Sequence, residues 1–162
     1  MLLQQVFAPG RIKVGLESED KDELFEELVD LLARDGGRDF PREAVLAAIW
    51  EREGKMSTGI KKGIAIPHGK AEGLKGLVGC IGISRAGLDY GALDGEPVYL
   101  VFLLVSAPDQ SELHLVALKN LAALLDDPEF TASLMEAGSP ERAHSVIKGM
   151  EERLTSIAPR HP

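Results

Sequence analysis

Residues 98–105 read VYLVFLLV. Eight successive largely apolar side chains leave no alternate position for water, so the run predicts a strand buried on both faces. Working back from it, residues 54–97 hold eleven of the seventeen glycines. These are interleaved with short β-favouring runs at 64–66 and 77–83, with turn signals at Ala86-Gly87 and Asp94-Gly95. RIKVGL at 11–16 alternates weakly and predicts a first strand. Helical spacing takes over on either side. Leu24, Phe25, Leu28, Leu31 and Leu32 mark a helix from Asp20 to Arg34, stopped by Gly36 and Gly37. Val45, Leu46, Ile49 and Trp50 mark a second, from about Asp39 and Pro41 to Gly54. After Pro108, Leu118, Leu121, Ala122 and Leu125 form a stripe, with Asp109 and Glu112 expected as a capping box at its start. Two further helices are expected, from Pro128 to about Ala137 and from Ser139 and Pro140 to about Leu154. Helices at both ends with strands between predict an α/β fold. The expected form is a three-layer α/β/α sandwich, a small mixed sheet covered by helices on both faces. One domain is expected over 1–155, with a disordered or frayed tail at 156–162.

The chain has 162 residues, is 44% hydrophobic and 27% charged, and carries a formal charge of −8. This composition is that of a globular domain, not a disordered or collagen-like chain. No apolar run approaches the ~20 residues of a membrane span, so no direct membrane insertion is expected. The single cysteine, Cys80, excludes an internal disulfide and reads as an inert core thiol. A reducing, cytoplasmic setting is expected. Charge is unevenly placed. Residues 17–30 hold eight acids and one base, read as a solvated helix face, whereas residues 52–75 hold six bases and two acids. Global acidity argues against nucleic-acid binding, while the local positive stretch suits a small anion or phosphoryl group.

The chemistry concentrates in Glu51–Lys70, EREGKMSTGIKKGIAIPHGK. Proline lacks an N–H and is expected to end the strand at Ile66. His68 then stands at a strand end, with Gly69 leaving its ring unshielded, where ligands tend to bind in α/β folds. Ser57, Thr58, Gly59 and Gly63 offer hydroxyls and backbone N–H groups for an anion, and Arg52 is a permanent cation able to grip phosphate oxygens. His114 lies one turn before Leu118 and two before Leu121, so it points to the apolar side of its helix. A buried imidazole there requires a hydrogen-bond partner, for which another histidine or its phosphoryl group would serve. Two histidines without a carboxylate or thiolate companion make a poor zinc site. On the residues alone the reading stops at an anion-friendly histidine site. Trp50 and Phe102 read as core, His144 as a helix residue and His161 as tail. Asp89, Asp94 and Asp109 read as turn residues.

The run STGIKKGIAIPHGK resembles the active-site signature of the type-2 enzyme IIA domains of the bacterial phosphoenolpyruvate-dependent sugar phosphotransferase system. That family includes the mannitol, fructose and nitrogen-regulatory IIA proteins. The resemblance spans roughly Leu2 to Leu154. His114 lies 46 residues after His68, and Arg52 lies 16 before it, matching the family's second histidine and arginine. The resemblance implies that His68 accepts a phosphoryl group from the phosphohistidine of the carrier protein HPr. It would pass the group to a IIB domain or, in a regulatory protein, use it to select target proteins. His114 and Arg52 would orient and stabilise the transferred group, with Ser57, Thr58 and Gly59 as phosphate contacts. Donor and product are both phosphohistidines, so the step is nearly balanced and no cofactor or metal is expected. Lys61 departs from the family, which commonly has glycine there; a lysine adds positive charge or restricts the turn.

Overall fold

The structure, a computed structural model, describes residues 3–157. In chain order the elements are α1 (Leu3–Val6), β1 (Ile12–Val14), α2 (Lys21–Gly36), α3 (Arg42–Glu53), β2 (Gly59–Lys61), β3 (Ile64–Ala65), β4 (His68–Lys70), β5 (Leu77–Leu88), β6 (Val98–Ser106), α4 (Ser111–Leu125), α5 (Pro128–Glu136) and α6 (Pro140–Ile157). Short 3-10 turns at Pro9–Arg11 and Pro108–Gln110 lead into β1 and α4.

The long β5–β6 antiparallel ribbon is the centre of a mixed sheet of order β1-β5-β6-β3-β2, with β4 also paired to β6. β1 runs parallel to β5, and β3 and β4 run parallel to β6. The VYLVFLLV run lies in β6 and is buried on both sides, as expected. Leu100, Phe102 and Leu104 turn toward a core shared with α1, α4, α5 and α6. Val101, Leu103 and Val105 turn toward a second core shared with α2 and α3. The result is the three-layer sandwich. Phe102 anchors the first core, with Phe7 at 5.9 Å edge-on and Phe130 at 6.4 Å stacked.

α2 begins where the acidic run predicts, with the Asp20 side chain accepting from the Glu23 N–H at 2.9 Å. The acidic face is not simply solvated. Glu27 accepts from the N–H groups of Glu17 and Ser18 and pairs with Lys13, while Arg42 pairs with Glu26, Asp30 and Glu43.

Four local expectations change. The Asp109–Glu112 capping box does not form, because the Pro108–Gln110 turn puts Gln110 at the N-cap of α4, without a side-chain cap. Ala86-Gly87 is not a turn; Gly87 adopts a positive φ of 81° and lets β5 bend within the ribbon, where its register shifts. The turn between β2 and β3 centres on Lys62 and Gly63, both at positive φ, so Lys61 pairs with Ile64 as a strand residue. Pro67 interrupts the edge of the sheet without ending it. Its carbonyl accepts from the Leu104 N–H at 3.0 Å, and pairing resumes at once in β4, with His68 opposite Leu104. Helix α6 continues through Ile157, so 156 and 157 are helical, whereas 158–162 of the expected tail, His161 included, lie outside the described residues. Among the described residues, no helix is long and apolar enough to cross a membrane.

One close approach sets the relation between the edge of the sheet and α3. A Cβ built on Gly69 would meet the Ala48 carbonyl carbon and oxygen at 3.0 Å. The backbone of α3 therefore rests directly on β4, which no side chain at position 69 would permit. Gly69→Ala is expected to push the two apart and to cost about 1–3 kcal/mol. Urea unfolding measures this, and an unchanged midpoint would contradict the contact.

Candidate functional site

Among the described residues β4 pairs with β6 alone, so its outer edge is open. Beside it lies a depression of about 620 Å³, lined by Glu51, Arg52, Lys55, His68, Lys70 and His114 and flanked by Ser111, Leu115 and Leu118. His68 shares the register of Leu104 and so faces α4. Arg52, in the last turn of α3, reaches the same depression from the other layer around the open edge.

His68 is half-buried, and its Nδ1 lies 2.8 Å from the carbonyl oxygen of Ile66. A carbonyl only accepts, so Nδ1 carries the proton and Nε2 keeps its lone pair. Burial lowers the His68 pKa, and the cationic Arg52 and Lys70 add to this, against the opposing pull of the Ile66 carbonyl and the Glu53 charge. His114 is 4% exposed, and its Nδ1 lies 2.7 Å from the Ser106 hydroxyl. Its pKa is pushed down to about 4 by burial, helped by His68 and Lys70. The two imidazole centroids are 5.6 Å apart, with planes tilted by 59°. Two neutral rings thus lie beside three cationic side chains, an arrangement suited to an incoming anion. Arg52 Nη1 donates to the Met56 carbonyl at 2.9 Å, and Lys70 Nζ donates to the Ser111 hydroxyl at 2.9 Å.

The structure therefore brings Arg52, His68 and His114 together. It does not bring the Thr58 side chain to them. Thr58 Oγ1 donates to Glu53 Oε2 at 2.6 Å, and the Tyr90 hydroxyl lies 2.6 Å from Thr58 Oγ1 and donates to Glu53 Oε2 at 3.2 Å. Thr58 is 4% exposed, and its hydroxyl is engaged in this buried network and does not line the depression. Ser57 Oγ accepts from the Gly59 N–H at 3.2 Å, and Gly59 is packed against Tyr90 and Ala92; neither lines the depression.

Glu53 and Tyr90 were not singled out by sequence. Glu53 Oε1 accepts from the Thr58 N–H and from Lys21 Nζ, each at 3.0 Å, and Lys21 also sits 4.6 Å over the Tyr90 ring. Burial alone would raise the Glu53 pKa; the bonds from Thr58 and Lys21 outweigh it and hold the carboxyl below its usual value. A carboxylate joining the end of α3, the start of α2 and the loop after α3 fixes the backbone next to Arg52. The only signal for it was its place beside that arginine. Ser106 was likewise missed, since a single serine closing an apolar strand reads as a strand end. Cys80 is fully buried, with burial pushing its thiol pKa up, and it faces the Leu28 carbonyl. Among the described residues, no group of three or more His, Cys, Asp or Glu is placed to hold a metal ion.

Low histidine pKa values make a prediction about stability. Between about 4 and the unfolded value of 6.5, the unfolded chain binds the His114 proton and the folded chain does not. The stability from burying this ring neutral is complete above about pH 6.5 and is lost as pH falls toward 4. His68 acts in the same direction. The urea midpoint is expected to fall across this window, and His114→Gln is expected to flatten part of the fall. An equally steep fall in that variant would contradict the assignment.

Residues 5–150 match the family described as "Phosphoenolpyruvate-dependent sugar phosphotransferase system, EIIA 2". A fructose-specific EIIABC component of Bacillus subtilis is 35% identical over 147 residues, 91% of this chain and 23% of that protein. The chain thus spans about a quarter of that relative's length. A nitrogen regulatory protein of Pseudomonas aeruginosa is 32% identical over 145 residues, 90% of this chain and 94% of that one. In structure, IIA-Ntr of Neisseria meningitidis superposes with a TM-score of 0.81 at 30% identity, over 90% of this chain and 98% of that one. The Escherichia coli complex of enzyme IIAMTL with phosphorylated enzyme IIBMTL shares the fold, with a TM-score of 0.74 at 19% identity, over 88% of this chain and 97% of that one. The chain belongs to the type-2 EIIA family of the phosphoenolpyruvate-dependent sugar phosphotransferase system.

Proposed function

We propose that the chain is a phosphoryl carrier in which His68 Nε2 takes a phosphoryl group from the phosphohistidine of HPr and hands it to a IIB domain. The observation that carries this reading is the hydrogen bond between His68 Nδ1 and the Ile66 carbonyl. It leaves a neutral ring with its lone pair on Nε2, the form that attacks phosphorus. The P–N bond to Nε2 forms as the donor's P–N bond breaks, and the departing electron pair returns to the donor imidazole. Positive charge appearing on the His68 ring is relieved through Nδ1–H on the Ile66 carbonyl. Such transfers pass through a loose transition state, where positioning and cationic donors supply most of the catalysis. Arg52 is assigned to the phosphoryl oxygens and His114 to their orientation. Ser57, Thr58 and Gly59 are assigned to holding the loop beside Arg52. Leu115, which lines the depression, is 53% exposed, and Met56, whose carbonyl Arg52 holds, is 59% exposed, which suits protein partners over a small molecule.

A second reading draws on the likeness to the Pseudomonas nitrogen regulatory protein over 94% of its length. Phosphorylation of His68 adds about −1.5 to −2 charges at a cationic surface, enough to change which protein it binds. Pull-down of targets with phosphorylated and unphosphorylated chain separates the two: transfer to a cognate IIB supports the carrier, and a state-sensitive non-sugar partner supports the regulator.

Incubation with phosphoenolpyruvate, enzyme I and HPr is expected to add one phosphoryl group, read by mass spectrometry. Phosphorus-coupled NMR is expected to place it on Nε2. His68→Ala is expected to take up none, and Arg52→Ala to slow uptake by about 10²–10³-fold. Equal labelling of wild type and His68→Ala would remove His68 from the reaction.

A further inference from the structure

Ser106 closes β6, is fully buried, and follows Leu104 by two residues on the face turned to α4. Its hydroxyl has one hydrogen-bond partner among the described residues, His114 Nδ1 at 2.7 Å. A hydroxyl has a single proton, and His114 Nδ1 is the one acceptor placed within hydrogen-bond distance of it among the described residues. It is therefore donated to Nδ1, which accepts through its lone pair, and the neutral ring carries its own proton on Nε2. No buried side-chain nitrogen or oxygen among the described residues lacks a partner, and His114 Nε2 has none, so that atom opens onto the depression.

We propose that Ser106 is a positioning residue that holds His114 as the Nε2–H tautomer, so that an N–H donor and not a lone pair meets the phosphoryl oxygens on His68. The catalytic consequence rests on the reading of His68 as phosphoryl acceptor; the tautomer does not. The two rings are set in opposite senses. His68 is held by a backbone acceptor and offers a lone pair at Nε2, whereas His114 is held by a side-chain donor and offers a proton at Nε2. A lone pair at His114 Nε2 would repel the oxygens that an N–H would bind. Burial and the nearby cations keep the ring neutral, so the choice of nitrogen decides its role.

Imidazole ¹⁵N correlation spectra of the whole chain at mildly alkaline pH test this directly. Wild type is expected to show His114 protonated on Nε2. Ser106→Ala is expected to lose that preference and to slow single-turnover transfer from phospho-HPr by about tenfold. Ser106→Thr, which keeps the hydroxyl, is expected to restore both. A wild-type ring protonated on Nδ1, or an unchanged tautomer in Ser106→Ala, would overturn the proposal. So would slower transfer without a tautomer change, which marks a structural role, and a changed tautomer with unchanged transfer. Failure of wild type to take up phosphate at all would instead sink the carrier reading, while the spectra alone would still decide the tautomer.

Discussion

The site depends on a contact in which nothing but backbone can fit. At Gly69 the edge strand has no side chain, and the carbonyl of Ala48 in α3 occupies the space a Cβ would need. Arg52 lies one helical turn beyond Ala48, and His68 lies one residue before Gly69. Because strand residues alternate faces, Gly69 turns to α3 while His68 turns to α4. The two helical layers therefore meet at the open edge of β4, one supplying a guanidinium and the other an imidazole. A larger residue at 69 would keep both side chains in the sequence and separate them in space.

Electrostatics then favour one kind of ligand. Arg52, Lys55 and Lys70, against the single acid Glu51, surround two rings that burial keeps neutral, so the depression holds net positive charge in a chain of formal charge −8. An anion entering it neutralises cations that otherwise raise each other's energy, and the long-range acidity of the chain keeps larger polyanions away. The nearest buried carboxylate, Glu53, is already committed to Thr58, Tyr90 and Lys21. It fixes the loop that follows Arg52, and at His68 its charge opposes that of Arg52.

The parts legible in the sequence were those written in a period or in a residue with unusual backbone chemistry. VYLVFLLV announces a doubly buried strand because solvent leaves no trace in it, and the helices follow from the spacing of their leucines. The PHG turn draws attention to His68 because proline and glycine are restrictive and permissive extremes. What escaped was written in tertiary partnership. Pro67 looked like a strand end, but its carbonyl serves the ladder as well as any other, so pairing resumes after it. Thr58 looked like a phosphate ligand because hydroxyls near glycines often are. Its partners Glu53 and Tyr90 lie 5 and 32 residues away, and no local pattern links them. Ser106 is one polar residue at the end of an apolar run, and its meaning comes from a helix that starts five residues later.

That meaning is a matter of parity. On β6, Leu100, Phe102 and Leu104 face the core shared with α4, and Val101, Leu103 and Val105 face the core shared with α3. Ser106 continues the first set. The β4 pairing puts Lys70 opposite Ser106 and His68 opposite Leu104, so His68, Lys70 and Ser106 all face the α4 side. A register slip of one residue would turn His68 and Ser106 to the α3 side and bring apolar Val105 toward His114. The two-sided burial of β6 makes such a slip prohibitive, since it would exchange every core side chain between layers. The same apolar run that sets the fold therefore sets the Ser106 hydroxyl 2.7 Å from Nδ1 of His114, eight residues further along the chain.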